Sequence, residues 1–435
     1  MYRKYLFFLF SILFSYYSFS QNPGYQIKIS IEGMKDKVVY LSGYYGTENI
    51  IYDSAKVKNG KLIVFTSEDK VLPSGLYELT NKEGYIYMDF LIDQSRSFSV
   101  STSLNTISSK REYINSDENL FYFEFLKMMQ LKGEISTAYL KSMIEISPNS
   151  LLSKYLKANF LQVEVPDIFY PDGVTLDTIA QYQYWKKHFF DYVDFSDSRL
   201  LRVKSDFRIS DYFLEYVIQN TDEIIREIDN FISKSKINPE INKYCLSYLY
   251  RIFDDCNPSH DPILVYLYDT YCQNGTCDWL DEFSFNRFKK EVNRKRKILP
   301  GQIVPPLVAY DAQHKSISTK DINHKYIILW FWDPDCDECV ELTPQLRDFY
   351  DIYKDYYDLE IYAVSITYDY DRWDDFILKN QLTWINVSYA IGEPNYDFVD
   401  YFDLITTPGI YIINSKHKII ARQFPLDELH EKLGN

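Results

Sequence analysis

The hydrophobic rhythm of the chain changes twice. From about residue 22 to 102 apolar positions recur every second residue. Ile27, Ile29 and Ile31 alternate with Lys28, Ser30 and Glu32, a period of two that turns one strand face to a core and the other to water. Further strands are predicted at 38–41, 50–57, 61–65, 76–79, 85–92 and 97–100. Asn59-Gly60 falls between two of them, and both residues tolerate the positive φ of a tight hairpin turn. Seven short strands separated by turns predict a small sandwich of two sheets.

From about 118 to 297 the period lengthens to that of a helix. Ile224, Ile225, Ile228, Phe231 and Ile232 share one face. Thr221 is the expected cap of that helix, with Asp222 and Glu223 in its first turn, where acids suit the dipole. Residues 212–218 and 244–253 carry similar stripes, and Pro166, Pro171 and Asp172-Gly173 mark a loop. Residues 289–297 hold six basic residues and one acid, followed by Pro300-Gly301 and Pro305-Pro306. This reads as a helix with a basic last turn, then a linker. Such an end is either solvated or docked on the acidic segment that follows. From about 301 strands and helices alternate: strand 326–332, helix 336–353, strand 360–366, helix 371–380, strand 384–387, helix 396–402, a hairpin of 408–413 with 418–421, and helix 426–433. That is an α/β order. The expected organisation is a signal peptide over 1–20, an all-β sandwich-like domain over 21–103, an α-helical domain over 115–298 and an α/β domain over 301–435.

Composition adds constraints. The 435 residues leave room for several domains, and 46% hydrophobic with 25% charged residues is a globular balance. Arg3 and Lys4 precede an apolar run over 5–14, too short for the ~20 residues of a membrane helix but right for a signal peptide. Ser18-Phe19-Ser20 puts small residues where a signal peptidase reads, with cleavage before Gln21. The mature chain is therefore expected in a periplasm or cell envelope, where disulfides persist. A net charge of −15 argues against nucleic acid as a partner. Residues 331–403 contain 18 acids and 4 basic residues. The expected partner therefore docks through a basic or neutral surface.

The acidic stretch contains Cys336-Asp337-Glu338-Cys339, placed directly after the strand that ends Phe331-Trp332 and at the opening of a helix. Unpaired N–H groups and the dipole at a helix start favour a thiolate at the first cysteine, and one helical turn brings the second within bonding range. Disulfide exchange needs such an exposed attacker and a nearby resolver. Cys336 fits the first role and Cys339 the second. Asp335, Asp337 and Glu338 oppose the dipole, which points to a reducing couple, a reductase or isomerase rather than an oxidant. Cys272 and Cys277 flank Gln273-Asn274-Gly275-Thr276 and are candidates for a structural disulfide, while the state of Cys245 and Cys256 is left open. Cys256 with His260 is too small a set for zinc. No metal is expected, and no cofactor beyond a redox-active Cys336–Cys339 disulfide.

These features resemble the thioredoxin superfamily, in its exported TlpA-like and cytochrome-maturation branch. The resemblance rests on Phe331-Trp332, the Cys336–Cys339 pair, Pro344 in the following helix, Thr407-Pro408 before a late strand, and the opening Gly301-Gln302-Ile303-Val304-Pro305-Pro306-Leu307. It covers about 301–435. Phe195-Ser196-Asp197-Ser198-Arg199-Leu200-Leu201, and Asp53-Ser54-Ala55 with Asn59-Gly60-Lys61, resemble uncharacterised modules found upstream of such domains. The resemblance implies a thioredoxin fold and a cis Pro408 beside the cysteines. It also implies backbone pairing of Thr407 with an extended substrate, protein thiol or disulfide substrates, and a membrane thiol electron donor. Trp332 packs beside the site or fills the core. Two positions depart from the pattern. Trp330 stands where many thioredoxins have a buried acid, and Leu342 where the branch often has Glu. Glu341 or Glu338 is then the candidate to take the proton of Cys339. Three rivals remain: an envelope binding protein with a vestigial dithiol, a thioredoxin-fold peroxidase, and a copper chaperone. A peroxidase would require a Pro-x-x-x-Thr-x-x-Cys context, but Asp333 lies three residues before Cys336. A chaperone would require a distant His, but His417 is placed at a hairpin turn.

Overall fold

The computed structural model describes residues 24–434 except 134, 256, 273–276, 390, 393, 395 and 405. The expected signal peptide and Cys256 lie outside the described residues. The chain forms two compact units, Met1–Arg208 and Ile209–Asn435, so the predicted helical stretch 115–298 is shared between them.

The first unit opens with eight strands: β1 (Tyr25–Glu32), β2 (Val38–Tyr45), β3 (Glu48–Lys56), β4 (Leu62–Ser67), β5 (Gly75–Thr80), β6 (Ile86–Ile92), β7 (Ser97–Ser103) and β8 (Glu112–Ile114). They form two four-stranded sheets, ordered β4-β1-β7-β8 and β3-β2-β5-β6. Ile27, Ile29 and Ile31 are fully buried and share one core with Val39, Leu41, Leu79 and Phe90 of the other sheet. The period of two seen in the sequence is thus the inward face of a sandwich. Asn59 and Gly60 both have positive φ, 51° and 66°. Strand β8 escaped the sequence because it is three residues long with none buried. Four helices follow, α1 (Asp117–Lys132), α2 (Thr137–Ile146), α3 (Leu151–Phe160) and α4 (Thr178–His188). The buried Glu118 carboxylate of α1 accepts the backbone N–H groups of Asp93, Gln94 and Ser95, fixing the helix to the end of β6.

The second unit begins with a π-helix over Asp211–Tyr216 and four α-helices: α5 (Thr221–Ser235), α6 (Pro239–Phe253), α7 (Asp261–Tyr271) and α8 (Glu282–Arg296). The cap of α5 is Asn220 and not Thr221. The Asn220 side chain accepts from the N–H groups of Asp222 and Glu223 while its backbone is still extended, the geometry a cap requires. Cys272 and Cys277 are joined as a disulfide, their Cα atoms 4.5 Å apart, and Cys245 is a buried free thiol.

The rest of the unit is a seven-stranded sheet of β9 (Val308–Tyr310), β10 (Ser316–Ser318), β11 (Tyr326–Trp332), β12 (Leu359–Ser365), β13 (Ile385–Ser388), β14 (Gly409–Asn414) and β15 (Ile419–Arg422), in the order β10-β9-β13-β12-β11-β14-β15. β11, β12 and β13 are parallel, and β14 runs antiparallel to β11. Every residue of β11 is buried because both faces are covered, which produces a continuous apolar run in place of an alternation. Ile328, Trp330 and Trp332 share a core with residues of α9 (Asp337–Tyr357), α10 (Tyr370–Asn380) and the last helix α12 (Leu429–Gly434). Ile327, Leu329 and Phe331 pack on the other face with Phe398 of α11 (Phe398–Tyr401) and with Ile298, Val304 and Leu307.

The basic end of α8 is not simply solvated. Arg294 pairs with Asp403 at 3.1 Å, Lys295 bonds Asp261 at 2.5 Å, and Lys297 lies 5.9 Å over the ring of Tyr401. Asp261 also binds Arg422 of β15.

Candidate functional site

The site grows out of the turn between β11 and α9. The Cys336 N–H donates to the Asp333 carbonyl at 3.1 Å, and the Asp335 N–H donates to the Asp333 carboxylate at 2.8 Å. This turn leaves Cys336 with extended φ and ψ of −86° and 114°, so it becomes the cap of α9. Its sulfur takes the place that a Ser or Asp oxygen usually fills, accepting the Cys339 N–H at 3.2 Å.

Cys339 is fully buried and Cys336 half-buried, and both are free thiols with their sulfurs 2.7 Å apart. The Cys336 thiol donates to the Thr407 carbonyl at 3.2 Å, across 71 residues of sequence. The Thr407–Pro408 peptide bond is cis. Burial pushes the Cys339 thiol up to about 12, and its contact with the Cys336 sulfur adds to the rise. The two thiols are therefore unequal: one is accessible and capped by a helix start, the other is held protonated in an apolar core. That is the arrangement disulfide exchange needs, an attacker at the surface and a resolver behind it.

The remaining predicted residues divide. Trp332 is fully buried in the same core as Cys339, its ring 4.9 Å from Phe376, so it both fills the core and backs the dithiol. Asp337 and Glu338 are exposed in the first turn of α9. Glu341 is also exposed, and neither Glu338 nor Glu341 bonds a sulfur among the described residues. Pro344 lies inside α9, where it has no N–H to offer the turn before it. His417 has a positive φ of 58° in the turn joining β14 and β15. Among the described residues no group of three or more His, Cys, Asp and Glu is placed to hold a metal.

Arg372 was not anticipated from the sequence. It comes from α10 and pairs with Asp335 at 2.5 Å, so one of the acids flanking Cys336 is already countered. Its signal was weak: it is one of only 4 basic residues in the acidic stretch 331–403. Trp330, Trp332 and Trp373 each bury an indole N–H, and Thr343 a hydroxyl, without a hydrogen-bond partner among the described residues. Behind Cys339 the unpaired polar groups among the described residues are thus indole and hydroxyl groups.

Comparison with known proteins bears on the same segment. The thioredoxin-like family model matches residues 323–419. No curated protein matches the chain. The thioredoxin domain of a thiol-disulfide oxidoreductase from Bacteroides vulgatus is 24% identical, over 31% of this chain and 96% of that one, with a TM-score of 0.28. A thiol:disulfide interchange protein from Bacteroides sp. is 25% identical over 32% of this chain and 89% of that one, with a TM-score of 0.28. A thioredoxin-like protein from Bacteroides caccae is 16% identical over 63% of this chain and 99% of that one, with a TM-score of 0.46. The strand, the capped dithiol and the family match coincide, and residues 323–419 are a thioredoxin-like domain.

Proposed function

We propose that this chain is an exported thiol–disulfide oxidoreductase, acting as a reductase or isomerase on protein substrates in the periplasm or cell envelope. The observation that carries the reading is the pair of sulfurs 2.7 Å apart, one capping a helix and half-buried, the other fully buried. In the reductive direction the Cys336 thiolate attacks one sulfur of a substrate disulfide. A mixed disulfide forms, and the other substrate sulfur leaves as a thiolate and takes a proton. Cys339 then gives up its proton and attacks the Cys336 sulfur, releasing the second substrate thiol. Two electrons have passed to the substrate, and the Cys336–Cys339 disulfide is left for a membrane thiol donor to reduce. Thr407 offers its backbone to an extended substrate segment by strand addition. Glu338 and Glu341 bond neither sulfur, so a proton path from Cys339 to either of them runs through water.

Two substitutions test this. Cys339→Ser is expected to accumulate a mixed disulfide with substrate, visible as a reducible adduct. Cys336→Ser is expected to form none and to lose exchange activity. Exchange activity retained in Cys336→Ser would end the reading, whereas an unaltered chain that exchanges no disulfide would favour a binding protein with a vestigial dithiol. The direction of exchange follows from the midpoint potential: a value near about −250 mV fits a reductase, and one near about −120 mV an oxidant. The acidic surface of 331–403 steers basic partners and does not repel neutral ones. Raising salt from low to moderate ionic strength is expected to slow reduction of a basic protein substrate by about threefold or more, and to leave a small neutral disulfide unaffected. Equal salt response of both would remove the steering role.

A further inference from the structure

The backbone that faces the dithiol is tied by charge to helix α8. Asp403 follows α11 with φ of 53°, and its side chain is 8% exposed. Arg294 of α8 brings Nη2 within 3.1 Å of Asp403 Oδ1. Neither Asp403 Oδ1 nor Arg294 Nε has a hydrogen-bond partner among the described residues, so the contact is held by charge at short range and not by a directional bond. Two neighbouring contacts frame it. Lys297 lies 5.9 Å over the Tyr401 ring, and the Tyr411 hydroxyl donates to the Phe402 carbonyl. Beyond Asp403, the Leu404 N–H donates to the Val399 carbonyl at 3.0 Å. The Leu404 side chain lies against Gly409, where an added Cβ would meet Leu404 Cδ2 at 2.7 Å. Gly409 follows Pro408, and the Thr407 carbonyl is 3.2 Å from the Cys336 sulfur. Contacts therefore run from α8, through Asp403 and Leu404, to Gly409, which is two residues along the chain from the Thr407 carbonyl beside Cys336.

We propose that Arg294 and Asp403 are positioning residues, whose ion pair holds the Thr407 backbone in place for the substrate segment and makes α8 part of the exchange machinery. This rests on the exchange reading above. Strand addition requires an N–H and a carbonyl at fixed positions, and a backbone that must first be ordered by the substrate spends binding energy on that ordering. A pair with one partner almost fully shielded from water attracts more strongly than a pair at the open surface. Helix α8 lies outside the matched residues 323–419, so the device belongs to this chain's own arrangement of helices.

The test uses the full chain with Arg294→Glu, with Asp403→Arg, and with both together. Two quantities are read: amide hydrogen exchange around Thr406 and Thr407, and the KM and kcat for reduction of insulin disulfides with dithiothreitol as electron donor. Each single reversal is expected to speed that local exchange and to raise KM by about tenfold, with kcat and the rate of Cys336 alkylation within about twofold of the starting protein. The double reversal is expected to return both quantities to within about threefold. Asp403→Asn, which keeps the shape, should move both in the same direction by about threefold. Unchanged local exchange in the single variants overturns the proposal. So does faster exchange with KM unmoved, or a natively melting double variant that fails to recover. Faster exchange throughout β11 and β14 as well would be general loosening, and it too overturns the positioning role. If the unaltered chain reduces no disulfide, the exchange reading falls and takes the positioning role with it, whereas normal reduction by all variants overturns the positioning role alone.

Discussion

Cys336 and Cys339 are the same residue type three positions apart, yet their surroundings make them chemically different. Cys339 sits at 0% exposure among aromatic and aliphatic side chains, and its thiol is raised from 9.0 to about 12. Iodoacetamide at about pH 8 is therefore expected to modify Cys336 and spare Cys339 in the folded, reduced chain, as read by peptide mass. A raised folded-state value also ties stability to pH. The contribution is complete below the unfolded value near 9.0 and is lost as pH rises toward about 12. The reduced chain should lose stability over that window by more than the oxidised chain, in which Cys339 has no proton to lose. Urea melts of both forms at about pH 8 and about pH 10.5 check this, and parallel curves would refute it. The asymmetry of the pair was legible in the sequence, because a strand followed by a helix start defines which cysteine caps. Arg372 beside Asp335 was not legible, because it arrives from another helix.

Periodicity identifies elements well and boundaries poorly. The stripe at Ile224, Ile228, Phe231 and Ile232 predicts α5, and all four residues are buried. The cap shifted by one residue, from Thr221 to Asn220, because both types can cap and the choice depends on which one has left the helical φ and ψ. Asn220→Ala is expected to cost about 1 kcal/mol in thermal or urea unfolding, and Thr221→Ala less than about 0.5 kcal/mol. Equal costs would mean that the cap assignment is wrong. Strands β8, β9 and β10 are three residues each, too short for any period to register. Their pairing partners define them.

At the scale of the whole molecule, charge does what no local pattern shows. Lys295, Asp261 and Arg422 come from α8, α7 and β15, and their side chains are 6%, 4% and 6% exposed. Asp261 is the carboxylate the two cations share; without it Lys295 keeps only the longer contact with Glu291 at 3.7 Å, so Asp261→Ala is expected to cost about 3 kcal/mol or more. Lys110→Ala, which breaks a pair exposed at 71% and 66%, is expected to cost close to nothing. For the same reason a fragment that starts at Gly301 leaves Arg422 and Asp403 without their partners, and it should melt well below one spanning 209–435. Equal melting of the two fragments would show that the helices do not support the sheet. The second compact unit begins at Ile209, well before the alternation of strands and helices that the sequence displays from about 301.

The sequence by itself determined the β character of the first segment, the helical faces of the middle, and the strand–dithiol–helix order at Cys336. Each of these depends on residues close together in the chain, where the spacing of apolar side chains and the polarity of a helix end act directly. Only the tertiary structure decided what stands opposite them. Thr407 reaches Cys336 across 71 residues, and Arg422 reaches Asp261 across 161. A basic helix end reads the same in sequence whether it faces water or a buried carboxylate, because charge has no periodicity and its partner is chosen by the packing of the sheet and helices around it.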